Sequence, residues 1–207
     1  MDVQEIAPGL WRWTGWHEEW REQVGCVYVE RDAGIALIDP LVPPEDTERF
    51  HAALDHDAGR ATAGVHVLVT VYWHTRSTRE LAARHDARIW APSRAKAAVA
   101  RRAGEVTDPF RPGDPLPLGI EALATARSSE VVYWLPEHGT LVPGDVILGA
   151  DGGGVRLCPE SWLPDGVGHA ELRASLRPLL DLPVERILAS HGEPVLAGGR
   201  EALAQIL

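Results

Sequence analysis

Runs of apolar residues with strand and helix character alternate along the chain, and the clearest pair lies at residues 64–83. The largely β-branched apolar residues Val65, Val67, Leu68, Val69 and Val71 predict a buried strand. Ser77 then predicts the start of a helix, because Glu80 follows it at the spacing of a capping box. Residues 72–76 (YWHTR) therefore cross from a strand to a helix, a place where α/β proteins collect functional groups.

The rest of the first half repeats this alternation. Strands are predicted over residues 4–14, 24–30, 34–38 and 87–90, and helices over 45–54 and 93–103. The segment 14–23 is charged and rich in tryptophan, which predicts a loop, and residues 31–33 predict a hairpin turn. Strands that alternate with helices indicate parallel pairing with right-handed crossovers.

The second half begins after a proline-rich segment at residues 104–117, which predicts a loop between the halves. Strands are predicted over residues 118–126, 131–135, 140–142 and 184–189, and helices over 169–180 and 199–207. The glycines of 151–154 predict a flexible turn. The length of 207 residues fits one domain over 1–207 with a full hydrophobic core.

Composition and charge exclude several classes of function. The net charge of −10 argues against a nucleic-acid partner, since phosphate contacts need clustered Lys and Arg. No run approaches the roughly 20 apolar residues of a membrane span, and the N-terminus lacks the apolar core of a signal peptide. We therefore expect a cytoplasmic protein with no membrane partner, in which Cys26 and Cys158 are reduced, buried thiols.

Short motifs from Ile6 to Leu207 resemble those of the metallo-β-lactamase-fold hydrolases. The segment AGIALIDP is similar to the family strand that ends in a supporting Asp, here Asp39. GTLVPGD is similar to the strand that carries the metal-bridging Asp, here Asp145, and ASHGEPV to the terminal His-Gly motif, here His191. The resemblance implies an α/β fold, a four-layer αββα sandwich, and a zinc-dependent hydrolase site.

The central family motif, Thr-His-x-His-x-Asp-His, is present only as a frame. Thr70 matches its first residue, but none of the residues at its ligand positions binds metal, namely Val71, Trp73, Thr75 and Arg76. The ligand position of the next motif, TARSSEVVYW, falls on Ala126. Because a catalytic zinc needs three or four donors, Asp145 and His191 alone predict a degenerate site without tightly held zinc.

Three sets of residues are candidates for work at such a site. Arg76 stands at a ligand position, so its guanidinium is predicted to replace the charge of the metal by pairing Asp145 or Asp39; a solvent-exposed salt bridge is the alternative. His74 is predicted either to complete a mononuclear metal set with Asp145 and His191 or to be a histidine with a backbone partner.

The third set is aromatic and surrounds the predicted strand-to-helix crossing. Trp16, Trp20 and Trp73 are predicted to form a wall over a substrate pocket, or alternatively to pack in the core or a homodimer interface. His17 is expected to bind substrate, to join a set of metal ligands or to lie on the surface.

A separate candidate is Cys158, which can act as a nucleophile only if its pKa is lowered.

Three functions follow as hypotheses. The first is a metal-free relative that binds an unidentified small molecule, with Asp145, His191 and Arg76 at its centre. The second is a hydrolase of an ester, thioester or lactone with an atypical mononuclear metal site or none. The third is an interaction protein whose tryptophans form an oligomer interface.

Overall fold

The structure is a computed structural model that describes residues 2–207, and the chain divides into two compact units. The first unit ends at Phe110 and the second begins at Arg111. The single domain predicted over 1–207 stays a prediction.

The first unit is built on a seven-stranded mixed sheet whose strands lie in chain order. These strands are β1 (Asp2–Ala7), β2 (Leu10–His17), β3 (Glu22–Arg31), β4 (Gly34–Ile38), β5 (Val65–Leu68), β6 (Arg88–Pro92) and β7 (Asp108–Phe110). Pairing is antiparallel from β1 to β4 and parallel from β4 to β7. The helices that connect the parallel strands are α1 (Thr47–Ala58), α2 (Thr78–His85) and α3 (Lys96–Ala103).

The antiparallel part of the sheet differs from its prediction in two places. The strand predicted over 4–14 is two strands, because a turn at Gly9, with φ of 78°, folds β2 back on β1. The loop predicted over 14–23 is mostly a hairpin in which His17 pairs with Glu22. Backbone pairing with a neighbouring strand outweighs the polar composition of that segment.

The parallel part of the sheet differs from its prediction at β7, which lies inside the loop predicted over 104–117.

The predicted capping box at the start of α2 is wrong. The hydroxyl of Ser77 accepts the backbone N–H of Val42 at 2.9 Å, and α2 begins without a side-chain cap. The carboxylate of Glu80 lies 2.8 Å from Nε2 of the buried His51. Both side chains therefore tie α2 to other elements instead of capping its own first turn.

The apolar core of the first unit lies where these helices pack on the sheet. One cluster fills the space against α1 and includes Trp13, Ile35, Leu37, Phe50, Leu54 and Val67. A second cluster surrounds α3 and includes Val69, Ile89, Ala91, Val99 and Val106. Burial of these side chains is the main stabilising contribution and holds the ends of β4 and β5 in place.

The second unit has a four-stranded sheet and a separate hairpin. In chain order its strands are β8 (Glu121–Ala124), β9 (Val131–Leu135), β10 (Thr140–Val142), β11 (Ile147–Gly149), β12 (Val155–Leu157) and β13 (Arg186–Ile187), with the sheet ordered β13-β10-β9-β8. The helices are α4 (His169–Leu176) and α5 (Gly199–Ala204). One buried cluster unites these elements and includes Trp134, Leu141, Leu148, Leu172, Leu176 and Leu203.

The hairpin β11–β12 was not predicted. Its turn is the glycine-rich segment predicted as flexible, in which Gly152, Gly153 and Gly154 have φ of 80°, 101° and 83°. Each strand has three residues and lies next to this glycine-rich turn.

None of the helices within residues 2–207 is long and apolar enough to cross a lipid bilayer.

Candidate functional site

Asp39 and His74 form a buried hydrogen-bonded pair in the first unit. Oδ1 of Asp39 accepts the backbone N–H of Thr70 at 2.8 Å, and Oδ2 accepts the Thr70 hydroxyl at 2.5 Å. Nδ1 of His74 lies 2.8 Å from the same Oδ2. Because an ionised carboxylate can only accept, Nδ1 carries the proton, and the lone pair of a neutral imidazole then lies on Nε2.

Strand order explains why these residues meet. The neighbouring parallel strands β4 and β5 end at the same edge of the sheet, where Ile38 pairs with Leu68. Asp39 follows directly, and its φ of 49° turns the chain out of the strand. A short 3-10 turn over Tyr72–Thr75 then brings His74 back towards Asp39. The supporting role predicted for Asp39 thus has a physical basis in its contacts to Thr70 and His74.

Arg76 binds backbone carbonyl groups of the first unit. Its Nη1 donates to the carbonyl oxygens of Asp39 at 2.8 Å and Gly25 at 3.0 Å, and lies 3.6 Å from Sγ of Cys26. The Asp39 carboxylate binds Thr70 and His74. The pairing predicted between Arg76 and this carboxylate stays a prediction. Arg76 is half-buried, unlike the solvent-exposed alternative, and its predicted pairing with Asp145 stays a prediction.

Aromatic rings of the first unit lie around His74. The Trp20 ring stacks on His17 with centroids 3.9 Å apart, lies 5.7 Å from the His74 ring, and has the Arg76 guanidinium 5.6 Å from its centroid. Trp73 meets His74 edge to face at 6.5 Å. Of the three tryptophans predicted as a wall, Trp20 and Trp73 contact His74.

Trp16 and His17 occupy the end of β2. Trp16 is 37% exposed, so its side chain has a large solvent-facing surface. His17 accepts the backbone N–H of Trp20 through Nδ1 at 3.3 Å, which helps to shape the turn after β2. The roles predicted for both residues in substrate binding stay predictions.

Asp145 and His191 form a second buried pair, within the second unit. Oδ1 of Asp145 lies 3.2 Å from Nε2 of His191. The ring of Trp162 meets His191 edge to face at 6.4 Å. The two residues that best match family ligand positions are therefore neighbours.

Two glycines fix the backbone next to His191. The N–H of Gly149 donates to the carbonyl oxygen of His191 at 2.8 Å. A Cβ on Gly149 would lie 2.2 Å from the carbonyl oxygen of Glu193, and one on Gly192, whose φ is 78°, would lie 2.6 Å from that of Gly149. Only glycine allows these two backbone segments to approach so closely.

The buried ion pair of Arg127 and Glu130 was missed by the sequence analysis. The side chains are 4% and 0% exposed, and Nη1 of Arg127 donates to Oε2 of Glu130. Oε1 of Glu130 accepts the backbone N–H groups of Asp145 at 2.6 Å and Val146 at 2.9 Å. Glu130 thus positions the backbone of Asp145. The only sequence signal is the Arg–Glu spacing of three residues just before the apolar strand β9.

The two thiols do not support a cysteine nucleophile. Both are buried and reduced, and burial raises the pKa of Cys158 to about 11. Burial also raises the pKa of Cys26, although the Arg76 guanidinium opposes that shift. Since the thiolate is the reactive form, the lowered pKa that a nucleophilic Cys158 requires is not met.

Comparisons with known proteins establish the fold. No protein-family profile and no curated protein sequence matches the chain. Among solved structures it is similar to the DIM-1 metallo-β-lactamase, with 13% identity, a TM-score of 0.71 and coverage of 99% of this chain and 97% of that one. The metallo-β-lactamase IND-7 shows 12% identity and a TM-score of 0.72, with 99% and 96% covered. A metallo-β-lactamase from Erythrobacter litoralis shows 16% identity and a TM-score of 0.70, with 98% and 92% covered.

At these identities the similarity is one of fold. The chain has the metallo-β-lactamase fold, and the α/β sandwich predicted from its motifs is confirmed. The degenerate ligand pattern expected at the central motif stays a prediction.

Proposed function

We propose that the chain is a small-molecule hydrolase whose site holds one divalent metal ion through His74, Asp145 and His191. All three side chains are buried, and they offer two imidazoles and one carboxylate, a donor set that could hold a metal ion. This set suits zinc with a remaining position for water. The proposed substrates are esters, thioesters or lactones.

The observation that carries the proposal is the hydrogen bond between Asp39 and His74. Histidines that bind metals almost always donate their other ring N–H to a carboxylate or carbonyl, which fixes the tautomer and the ring orientation. Asp39 does this at Nδ1 of His74, over 2.8 Å. The same carboxylate accepts two hydrogen bonds from Thr70, which hold it in place beside the His74 ring.

The pair in the second unit fits the same interpretation. Two ligand atoms bound at about 2.0–2.1 Å to one tetrahedral zinc lie about 3.3 Å apart. Asp145 and His191 approach to 3.2 Å. When bound, such a metal lowers the pKa of a coordinated water to about 7 and so supplies a nucleophile at neutral pH.

The chain's own residues contribute orientation and exclusion of water. Asp39 holds the His74 ring, and Glu130 holds the backbone of Asp145. The rings of Trp20 and Trp73 beside His74 supply apolar surface against which the acyl or alkyl part of a substrate can pack.

A metal-free binding protein is the second candidate. It is favoured by Arg76, a half-buried cation whose guanidinium lies 5.6 Å from the centre of the Trp20 ring. In that case the 3.2 Å contact of Asp145 with His191 is a hydrogen-bonded pair within the second unit. The interaction-protein hypothesis requires Trp16 to lie at an interface between subunits. Trp16→Ala would then dissociate an oligomer, and sedimentation experiments would detect the loss.

Metal content decides between the first two candidates. The protein is purified without a metal-affinity step, analysed for bound elements, and titrated with zinc while its thermal unfolding is followed. The proposal predicts a metal bound in the purified protein and stabilisation by about 2.7 kcal/mol at a hundredfold excess of zinc over Kd. His74→Ala and Asp145→Asn should lose both effects, and His56→Ala, an exposed histidine of α1, should keep them.

Hydrolysis is then assayed with a panel of aryl esters, thioesters and lactones, with and without a chelator. Metal binding with chelator-sensitive turnover supports the proposal. No metal and no stabilisation by zinc would overturn it in favour of the metal-free binding protein.

A further inference from the structure

A concave site lies in the first unit, between α1 and the strands β1 to β4. Its volume is about 350 Å³, within the usual range for small-molecule sites. None of His74, Asp39 and Arg76 lines it, so this cavity is separate from the residues proposed for hydrolysis.

Aromatic rings form much of its wall. Trp11 and Tyr28 meet edge to face, with ring centroids 5.2 Å apart and planes at 77°. Trp13 and Phe50 lie deeper, with centroids 5.6 Å apart. All four rings line the cavity. Faces of aromatic rings carry negative electrostatic potential, which attracts cations.

Carboxylates at the cavity give it an excess of negative charge. Glu30 and Asp57 line it, and among its described lining residues Arg60 is the only cation. The Arg60 guanidinium lies 2.9 Å from the Asp57 carboxylate and 4.0 Å from the Glu30 carboxylate. One positive charge is therefore shared between two negative charges. The Tyr28 hydroxyl donates to Asp57 at 3.4 Å, and burial together with these carboxylates raises the pKa of Tyr28, which keeps the phenol neutral.

We propose that this cavity binds a small organic ammonium ion with apolar substituents. The ammonium group would lie between the aromatic faces and the carboxylates of Glu30 and Asp57, and its substituents would pack on Trp11 and Trp13. Aromatic walls with nearby carboxylates are the arrangement that recognises alkylated ammonium groups. An anionic ligand would meet the repulsion of both carboxylates.

A matched pair of probes tests the proposal on the unaltered protein. Choline and 3,3-dimethylbutan-1-ol have the same shape and differ only in charge. Each is titrated while the indole N–H signals of Trp11 and Trp13 are followed by NMR. We expect choline to shift these signals and to bind at least about fivefold more tightly than the neutral alcohol.

Variants locate the site. Asp57→Asn and Glu30→Gln should each weaken choline binding by about fivefold and leave the neutral alcohol unaffected. Glu48→Gln, an exposed change in the first turn of α1, is the matched control, and thermal unfolding verifies that each variant folds. His74→Ala should leave choline binding unchanged, so failure of the hydrolase proposal does not affect this test.

Two outcomes would overturn the inference. Equal affinity for choline and the neutral alcohol would mean an apolar cavity without preference for cations. Choline binding without a shift of the Trp11 and Trp13 signals would place the ligand elsewhere.

Discussion

Substitution of Glu130 tests whether the buried ion pair holds the second unit together. Glu130→Ala leaves the Arg127 guanidinium without its carboxylate in a site where both side chains are at most 4% exposed. It also removes the acceptor of two backbone N–H groups, those of Asp145 and Val146. We expect a loss of about 3–5 kcal/mol in the free energy of unfolding from breaking the buried pair.

Urea unfolding followed by tryptophan fluorescence measures this loss, and the melting temperature should fall by about 6–20 °C for a chain of this length. The matched control is Asp55→Ala. It breaks an ion pair with Arg84 at 2.6 Å whose side chains are 43% and 44% exposed, so solvent screening should leave stability almost unchanged.

Two further variants separate the contributions of Glu130. Glu130→Gln keeps an oxygen that can accept the two N–H groups and removes only the charge, so it should lose less stability than Glu130→Ala. Replacement of both Arg127 and Glu130 by Leu removes the buried guanidinium together with its carboxylate and should recover part of the loss. Equal, small effects of Glu130→Ala and Asp55→Ala would refute the assignment of a buried, stabilising ion pair.

Three other predictions concern single residues. Gly192→Ala should destabilise the protein by more than the roughly 1–2 kcal/mol that a left-handed backbone costs, because the new Cβ would clash with the backbone of Gly149. Gly152→Ala, with open space around it, should lose only that smaller amount. Equal urea midpoints of the two variants would contradict the prediction. Burial lowers the pKa of His66, whose Nδ1 accepts the Nε1–H of Trp90 at 3.2 Å. His66 therefore takes up a proton at a higher pH in the unfolded chain than in the folded one. The free energy of unfolding should fall as the pH drops below about 6.5. Urea titrations at neutral and acidic pH measure this slope, and His66→Gln should flatten it. Arg76→Ala should lower the free energy of unfolding by about 1–3 kcal/mol, because the hydrogen bonds to two carbonyl groups are lost. Arg76→Lys should recover part of this loss. An unchanged urea unfolding curve for Arg76→Ala would contradict a stabilising role of these bonds.

Local features of the sequence predicted the fold class and most residues of the candidate site, apart from Arg127 and Glu130. Apolar runs with β-branched residues marked β4, β5 and β9, because burial on both faces of a strand leaves a local signal. Asp39, Asp145 and His191 were found because each stands at a fixed place in a short motif next to such a run. These features depend on residues that are close together in the chain.

The hydrogen-bond partners of several site residues depend on contacts between distant parts of the chain. Arg76 binds the carbonyl oxygen of Asp39, 37 positions away, and Glu130 binds the N–H of Asp145, 15 positions away. Ser77 bonds to Val42 instead of capping its own helix. Periodicity and capping rules describe neighbours along the chain, whereas these hydrogen bonds depend on which strand ends and turns the packed core brings side by side.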